Sequence, residues 1–314
     1  MFLVDLLYYT LIQQIINGLS LGSVYALIAV GYSLVFSILS FSNFAHGGFL
    51  VVGAYICYGL FVGFEATIFS YHLFSVPAIR NIWIAGAGAL IGAGAVAVLT
   101  ERLAYKPIRE RTSMTLYLLI ASMGVSIVVE NIFVILVGGR FRRMPDIFPL
   151  SPFHLAEGVT IRGLDIVSLV AAVLFLGGLQ LFLTRTRWGL AIRAAACDLR
   201  TAGLMGVNTA FLIGIVFFVA GLLAAVGGIF LSLNYTLFPQ MGGITIKAFI
   251  AAVIGGLGSL PGAVVGSLIL GLAEMLTAGF ISSQMRDFVV FSMLVLMLLV
   301  RPSGIFGKQI SDKV

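Results

Sequence analysis

The chain has 314 residues, of which 61% are hydrophobic and 10% charged, with a mean hydropathy of +1.14 and a formal net charge of +6. A soluble domain has no use for that much apolar surface, and a β-barrel would alternate apolar and polar over about ten residues, whereas these runs stay apolar for about twenty. In a soluble protein the positive charge would raise nucleic acid as a partner; here the excess of Lys and Arg that membrane proteins keep on the cytoplasmic side is the simpler explanation.

These observations predict an all-α fold, a polytopic integral membrane helix bundle of about eight to nine spans forming a single transmembrane domain over 1–314. The start, MFLVDLLYYTLIQQ, carries Asp5 and no Lys or Arg. It lacks the basic region of a signal peptide and is expected to insert through its first span. Spans are expected near 11–30, 33–60, 81–100, 114–137, 164–183, 209–231, 244–257, 262–280 and 285–300. The second has a polar centre, Asn43-Phe44-Ala45-His46-Gly47-Gly48, and reads as two short pieces. The seventh is too short to cross ~30 Å of hydrocarbon at ~1.5 Å per residue and reads as a broken or partial span. The stretch 64–80 fits no motif.

Basic residues orient the set. Arg102, Lys106, Arg109 and Arg111 lie in 101–113, Arg185, Arg187, Arg193 and Arg200 in 184–208, and Arg301, Lys308 and Lys313 in the tail. Nine spans with an outside N-terminus place all three regions in the cytoplasm. The loop 138–163 runs against this rule, because it would be external and holds Arg140, Arg142, Arg143 and Arg162.

Gln13, Gln14, Asn17, Asn43, His46, Glu130 and Glu274 are polar within apolar spans, where a lone polar group is costly. Asn17, Asn43, His46 and Glu130 are the candidates for a solute pathway; the competing reading is an interhelical hydrogen bond for Glu130, and for Asn43 and His46 a helix junction satisfied by its own side chains. Glu274 is open between an interhelical contact and a pore-lining or proton-relay group. Gly258, Gly262 and Gly266 recur every fourth residue and predict a flat ridge for helix packing, as do Gly18/Gly22 and Gly88/Gly92. Cys57 and Cys197 are far apart and read as free thiols. His46, His72 and His154 have no partner at ligand spacing, so no metal is expected, and no cofactor motif occurs. GIFGK at 304–308 lacks the spacing of a phosphate-binding loop, and no G-x-S-x-G or H-E-x-x-H occurs, which leaves a membrane enzyme without a residue constellation.

Thr184–Asn208 is a basic island between two apolar segments. Its Ala residues favour a helix over 189–206, with Arg193 and Arg200 on one face, Ala195, Leu199 and Ala202 on another, and Gly206 and Asn208 at the end. Two readings stay open: an interfacial helix on lipid headgroups, and a knob inserted into a groove of a soluble partner.

The chain resembles the branched-chain amino acid ABC transporter permeases, most closely their smaller LivH type. The resemblance runs nearly end to end and is carried by QQIINGLSLGSVYALIAVGYSLVF (13–36), NFAHGGFLVVGAY (43–55), GLAIRAAACDLRTAGLMGVN (189–208), VIGGLGSLPGAVVGSLILGLAE (253–274) and VLMLLVRPSGIFG (295–307). It implies a permease of the bacterial inner membrane that forms half of a translocation pathway for leucine, isoleucine and valine. The implied partners are a second permease of the LivM type, two cytoplasmic ATP-binding subunits and a periplasmic solute-binding protein, with membrane lipid around them. It further implies that 184–208 is the cytoplasmic coupling segment, with Arg193, Ala194, Ala195, Ala196, Asp198, Arg200 and Gly206 at the ATPase contact. Arg193 stands where the general pattern of such loops has Glu. Urea and short-chain amide permeases share an N-x-A-H-G block and are the alternative within the resemblance. A passive channel or secondary carrier, gated by Glu130, His46 and Glu274, is the alternative outside it.

Overall fold

The computed structural model describes residues 2–68, 71–112, 114–145, 151–156 and 159–307. Lys308 and Lys313, and parts of the 138–163 loop, lie outside the described residues. The elements in chain order are α1 (Phe2–Leu39), α2 (His46–Val62), β1 (Phe64–Ile68), β2 (Tyr71–Val76), α3 (Ile82–Thr100), a π-helical turn (Glu101–Tyr105), α4 (Lys106–Arg111) and α5 (Thr115–Val137). There follow β3 (Phe153–Ala156), β4 (Val159–Ile161), α6 (Gly163–Arg185), α7 (Arg187–Cys197), α8 (Leu199–Leu204), α9 (Thr209–Asn234), a 3₁₀ turn (Pro239–Ile244), α10 (Thr245–Gly255), α11 (Leu260–Phe280), a 3₁₀ turn (Ser283–Met285) and α12 (Arg286–Val300). Among the described residues, seven helical runs are long and apolar enough to cross a membrane, and two shorter apolar ones, His46–Val62 and Pro239–Gly255, accompany them. The chain is an all-α polytopic membrane protein.

The first two spans and two of the loops differ from expectation. The first helix does not stop near residue 30 but continues to Leu39, because nothing polar enough to end it occurs before the Ser40–Asn43 break. The polar block therefore separates α1 from α2 instead of dividing a second span. Two antiparallel hairpins, β1–β2 and β3–β4, occupy stretches without helical periodicity, including the unmatched 64–80 segment.

Two compact units are distinguishable: Met1–Ser33 with Phe148–Gly177 and Ile246–Val314, and Leu34–Ile147 with Gly178–Thr245. The first unit packs through small residues. A Cβ on Gly18 or Gly22 would strike the backbone of α11 near Leu272 and Leu268, so the α1–α11 contact depends on their lacking one. Gly262 and Gly266 lie the same way against α10 at Gly255 and Ala251. Gly258, expected to continue their ridge, is not in the helix. It sits in the turn before α11 with φ +85°, a conformation that glycine adopts without strain. Residues 305–307 close on that turn. The amides of Ile305 and Phe306 donate to the carbonyls of Ile254 and Gly255, at 2.9 Å each, and so satisfy acceptors that the end of α10 leaves open.

In the second unit α2, α3 and α9 form the centre, with α5 against α2. Gly53 lies directly on Ala225, and Gly228 on the backbone at Leu50. Gly88 and Gly92 receive the tips of Leu60 and Ile56 instead of forming a ridge of their own. Of the arginines in the anomalous 138–163 loop, Arg142 is held by a two-way backbone pairing with Leu237 and by donation to the Val137 carbonyl. In the first unit, Arg162 pairs with the buried Asp165 at 2.8 Å. Two of these four cations thus have structural duties that a count of charges cannot see.

Candidate functional site

The basic island begins at a tight joint. Thr186 caps α7: its hydroxyl accepts from the amide of Gly189 at 2.9 Å and donates to the Phe182 carbonyl at 2.7 Å. Gly189 then passes so close to the last carbonyls of α6 that no side chain fits there. Arg193 reaches back, and its guanidinium donates to the Leu183 carbonyl at 2.7 Å. It places a cation on the C-terminal end of α6, where the helix dipole favours one. The residue that replaces the expected Glu therefore fastens α7 to α6.

The expected single helix over 189–206 is two helices. Asp198 ends α7 with extended backbone (φ −158°, ψ 108°) and starts α8, its carboxylate accepting from the amides of Arg200 at 2.8 Å and Thr201 at 3.1 Å. The Thr201 hydroxyl donates to the same carboxylate. That hydroxyl, with the two amides, holds the Asp198 carboxyl below its ordinary pKa. Arg193 and Arg200 consequently lie on different helices. Gly206 closes α8 with φ +90°, and Asn208 caps α9 by accepting from the Phe211 amide at 3.0 Å.

The outward surface of this α7–α8 hairpin is apolar as well as basic. Leu190 is 61% exposed, Leu204 82% and Met205 81%, while Ala195 and Ala202 are buried. Ala194, Ala196, Cys197, Asp198, Arg200 and Gly206 are also exposed. The hairpin turns its small buried residues inward and presents large apolar side chains with arginines around them.

The pathway candidates are divided. Asn43 and His46 are 1% and 0% exposed at the α1–α2 break. Asn43 Oδ1 accepts from the Tyr105 hydroxyl at 2.7 Å and from the Ala45 amide at 3.2 Å, so the π-helical turn carrying Tyr105 holds the break in place. Glu130 is half-buried on α5, accepts from Ser126 at 3.3 Å and lies against Gly242 of the 3₁₀ turn, which itself abuts Gly47 at the start of α2. These three belong to the second unit. Asn17 belongs to the first, half-buried, where it accepts from Gln13 at 3.0 Å.

Glu274 belongs to a charged cluster that sequence spacing does not reveal. Lys247, on α10, donates to Glu274 of α11 at 2.8 Å and to Asp287 of α12 at 2.7 Å, and Tyr25 of α1 donates to the other Glu274 oxygen at 3.0 Å. Glu274, whose side chain is 3% exposed, is therefore an interhelical contact that joins four helices. A lysine in ITIKAFIAAVIGG is as costly in an apolar segment as Glu274 is, and that cost was the available signal.

Comparison with known proteins gives the following. Residues 14–298 match the family described as branched-chain amino acid transport system / permease component. The high-affinity branched-chain amino acid transport system permease protein BraD of Pseudomonas aeruginosa is 38% identical over 313 residues, covering 98% of this chain and 99% of that protein. The corresponding LivH protein of Salmonella typhimurium is 36% identical over 312 residues, with 96% and 97% covered. A probable LivH of Methanocaldococcus jannaschii is 27% identical over 296 residues, with 90% and 88% covered. Among solved structures, PsaBC from Streptococcus pneumoniae in complex with Fab aligns over 95% of this chain and 92% of that chain, with a TM-score of 0.43 and 13% identity.

Proposed function

The chain belongs to the branched-chain amino acid transport system permease family, and we propose from that premise that it is one of two permease subunits of an ATP-driven importer for leucine, isoleucine and valine in the cytoplasmic membrane. The whole chain serves as one permease domain and supplies half of the pathway. A second permease, of the LivM type, supplies the other half. Two cytoplasmic ATP-binding subunits supply the energy, and a periplasmic solute-binding protein delivers the amino acid. The names of the relatives favour branched-chain amino acids over urea or amides. Asn17, Asn43, His46 and Glu130 stay the proposed pathway positions, with Asn43 also holding the helix break.

The observation that supports coupling most directly is the exposure of Leu190, Leu204 and Met205 on a hairpin whose Arg193 and Asp198 side chains are already engaged with backbone. Large apolar side chains in a water-side segment lose free energy until something covers them. A cleft in the ATP-binding subunit is the occupant that fits, with Arg200 at the rim. Motion of that subunit then passes through α7–α8 to α6 by the Arg193–Leu183 and Thr186 bonds, and to α9 through Gly206 and Asn208.

The test is uptake into liposomes. The complete complex should accumulate leucine only with ATP, and the permease pair without ATP-binding subunits should give no flux. Flux from the isolated chain would instead establish a passive channel. Arg193 is a poor probe of docking, because its replacement also unfastens α7 from α6. Leu204→Asp with Met205→Asp is the cleaner variant, and normal uptake in it would overturn the coupling assignment.

A further inference from the structure

A cavity of about 370 Å³ lies between the π-helical turn after α3 and the start of α9, lined by Glu101, Arg102, Lys106, Asn208, Ala210 and Phe211. Its charge is one-sided. The buried Glu101 carboxylate is already answered by Arg109 at 2.8 Å. Lys106 is 3.9 Å from Glu110, and both side chains are largely exposed, so that pair neutralises little. Arg102 is exposed. Two cations thus face the cavity against one neutralised acid, and the first turn of a 26-residue helix adds to the positive potential.

Position narrows the occupant. The apolar run of α3 ends at Thr100 and that of α9 begins at Ala210, so both helices pass from hydrocarbon into water at this cavity. The Trp188 and Phe211 rings pack with centroids 5.2 Å apart at the same level, the depth at which aromatic side chains collect at a membrane surface. Leu99 and Leu103, each three residues before one of the two cations, are exposed apolar side chains. A soluble anion would use only the cations; a lipid would use the cations and these apolar flanks together.

We propose that this cavity holds the headgroup of an anionic phospholipid of the cytoplasmic leaflet, its phosphate between Arg102 and Lys106 and its acyl chains along Leu99, Leu103 and Phe211. The leaflet rests on the proposed function, which puts the adjoining α7–α8 hairpin on the cytoplasmic side; the headgroup site does not. A lipid bound there bridges the π-helical turn, whose Tyr105 holds Asn43, and the start of α9, three residues beyond Gly206. It would therefore bear on both the helix break and the coupling hairpin.

Native mass spectrometry of the purified full chain in detergent tests this, with phosphatidylglycerol, phosphatidylcholine and inorganic phosphate as separate probes. Phosphatidylglycerol should be retained over phosphatidylcholine, and Arg102→Gln with Lys106→Gln should lower its retention roughly tenfold or more, since each basic residue at an anionic surface contributes severalfold. The same charge change outside the cavity, Arg140→Gln with Arg143→Gln, should leave retention unchanged. Equal retention of the two lipids, or a double variant that holds phosphatidylglycerol like the wild type, would overturn the site. Displacement of the lipid by millimolar inorganic phosphate would show a simple ion site and overturn the lipid reading. The wild-type melting temperature supplies an arm free of variants: it should rise with phosphatidylglycerol more than with phosphatidylcholine, and an equal rise would count against the proposal.

Discussion

The α7–α8 hairpin and the Lys247–Glu274–Asp287 cluster both put charges into an overwhelmingly apolar chain, and they use them in opposite ways. In the cluster, charge meets charge: one lysine answers two carboxylates, a tyrosine completes the buried one, and four helices are tied together. In the hairpin, charges meet backbone: Arg193 serves a helix end and Asp198 a helix start, while Leu204 and Met205 stay exposed. The cluster's charges are answered within the chain, whereas the hairpin leaves Leu204 and Met205 exposed. What separates them is the residue type left facing outward.

That contrast can be broken by substitution. Lys247→Met should have the largest effect on stability, about 3–5 kcal/mol, because it strands the Glu274 carboxylate in the interior. It should appear as a much lower melting temperature of the solubilised protein. Adding Glu274→Gln should recover much of the loss, and Asp287→Asn alone, at an acid 68% exposed, should cost about 1 kcal/mol or less. A wild-type melting temperature in Lys247→Met would remove the cluster from the account. Asn43→Leu comes next, at about 1–3 kcal/mol, since it leaves the buried Tyr105 hydroxyl and Ala45 amide without their acceptor. Tyr105→Phe should cost only about 1 kcal/mol by the same melt.

The hairpin should answer differently. Leu204→Asp with Met205→Asp should leave the melting temperature within the ~0.5 kcal/mol usual for surface changes while lowering leucine uptake at least about tenfold. A drop in both would mean that the pair supports the fold. The smallest effect belongs to Asp198. Its carboxyl sits below the ordinary value, so its capping contribution is present above about pH 4 and fades as pH falls through the lower folded value. Hydrogen exchange at Arg200 and Thr201 should therefore quicken, beyond its intrinsic pH dependence, only in acid. Asp198→Ala should quicken it at neutral pH as well, and Asp198→Asn, a good cap itself, should keep neutral exchange slow and lose the acid response.

Much of the fold was legible because apolar run length decides membrane helices: α5, α6, α9, α11 and α12 lie within a few residues of expectation. What was missed depended on single polar side chains. Asp198 followed by Leu-Arg-Thr is a helix-start signal inside an alanine-rich stretch, and the alanines outvoted it. Gly258 shares a spacing with Gly262 and Gly266 but precedes the Ser259 cap and Pro261, which belong to a helix start. The role of Arg193 could not be read at all, since its partner is a backbone carbonyl ten residues earlier. The four pathway positions share polarity at depth; Asn43, His46 and Glu130 lie in one unit with Gly47 and Gly242, whereas Lys247, equally polar at depth, belongs to the ion-pair cluster.

The central claim, that an ATP-binding subunit covers the hairpin, has a probe already in the chain. Cys197 is exposed at the end of α7, and Cys57 is buried in the second unit. Maleimide should label Cys197 readily in the purified permease and leave Cys57 unmodified. Adding the ATP-binding subunits should slow Cys197 labelling at least about tenfold, as burial of a thiolate nucleophile requires. Equal labelling with and without those subunits, in a complex shown to be assembled, would contradict the account.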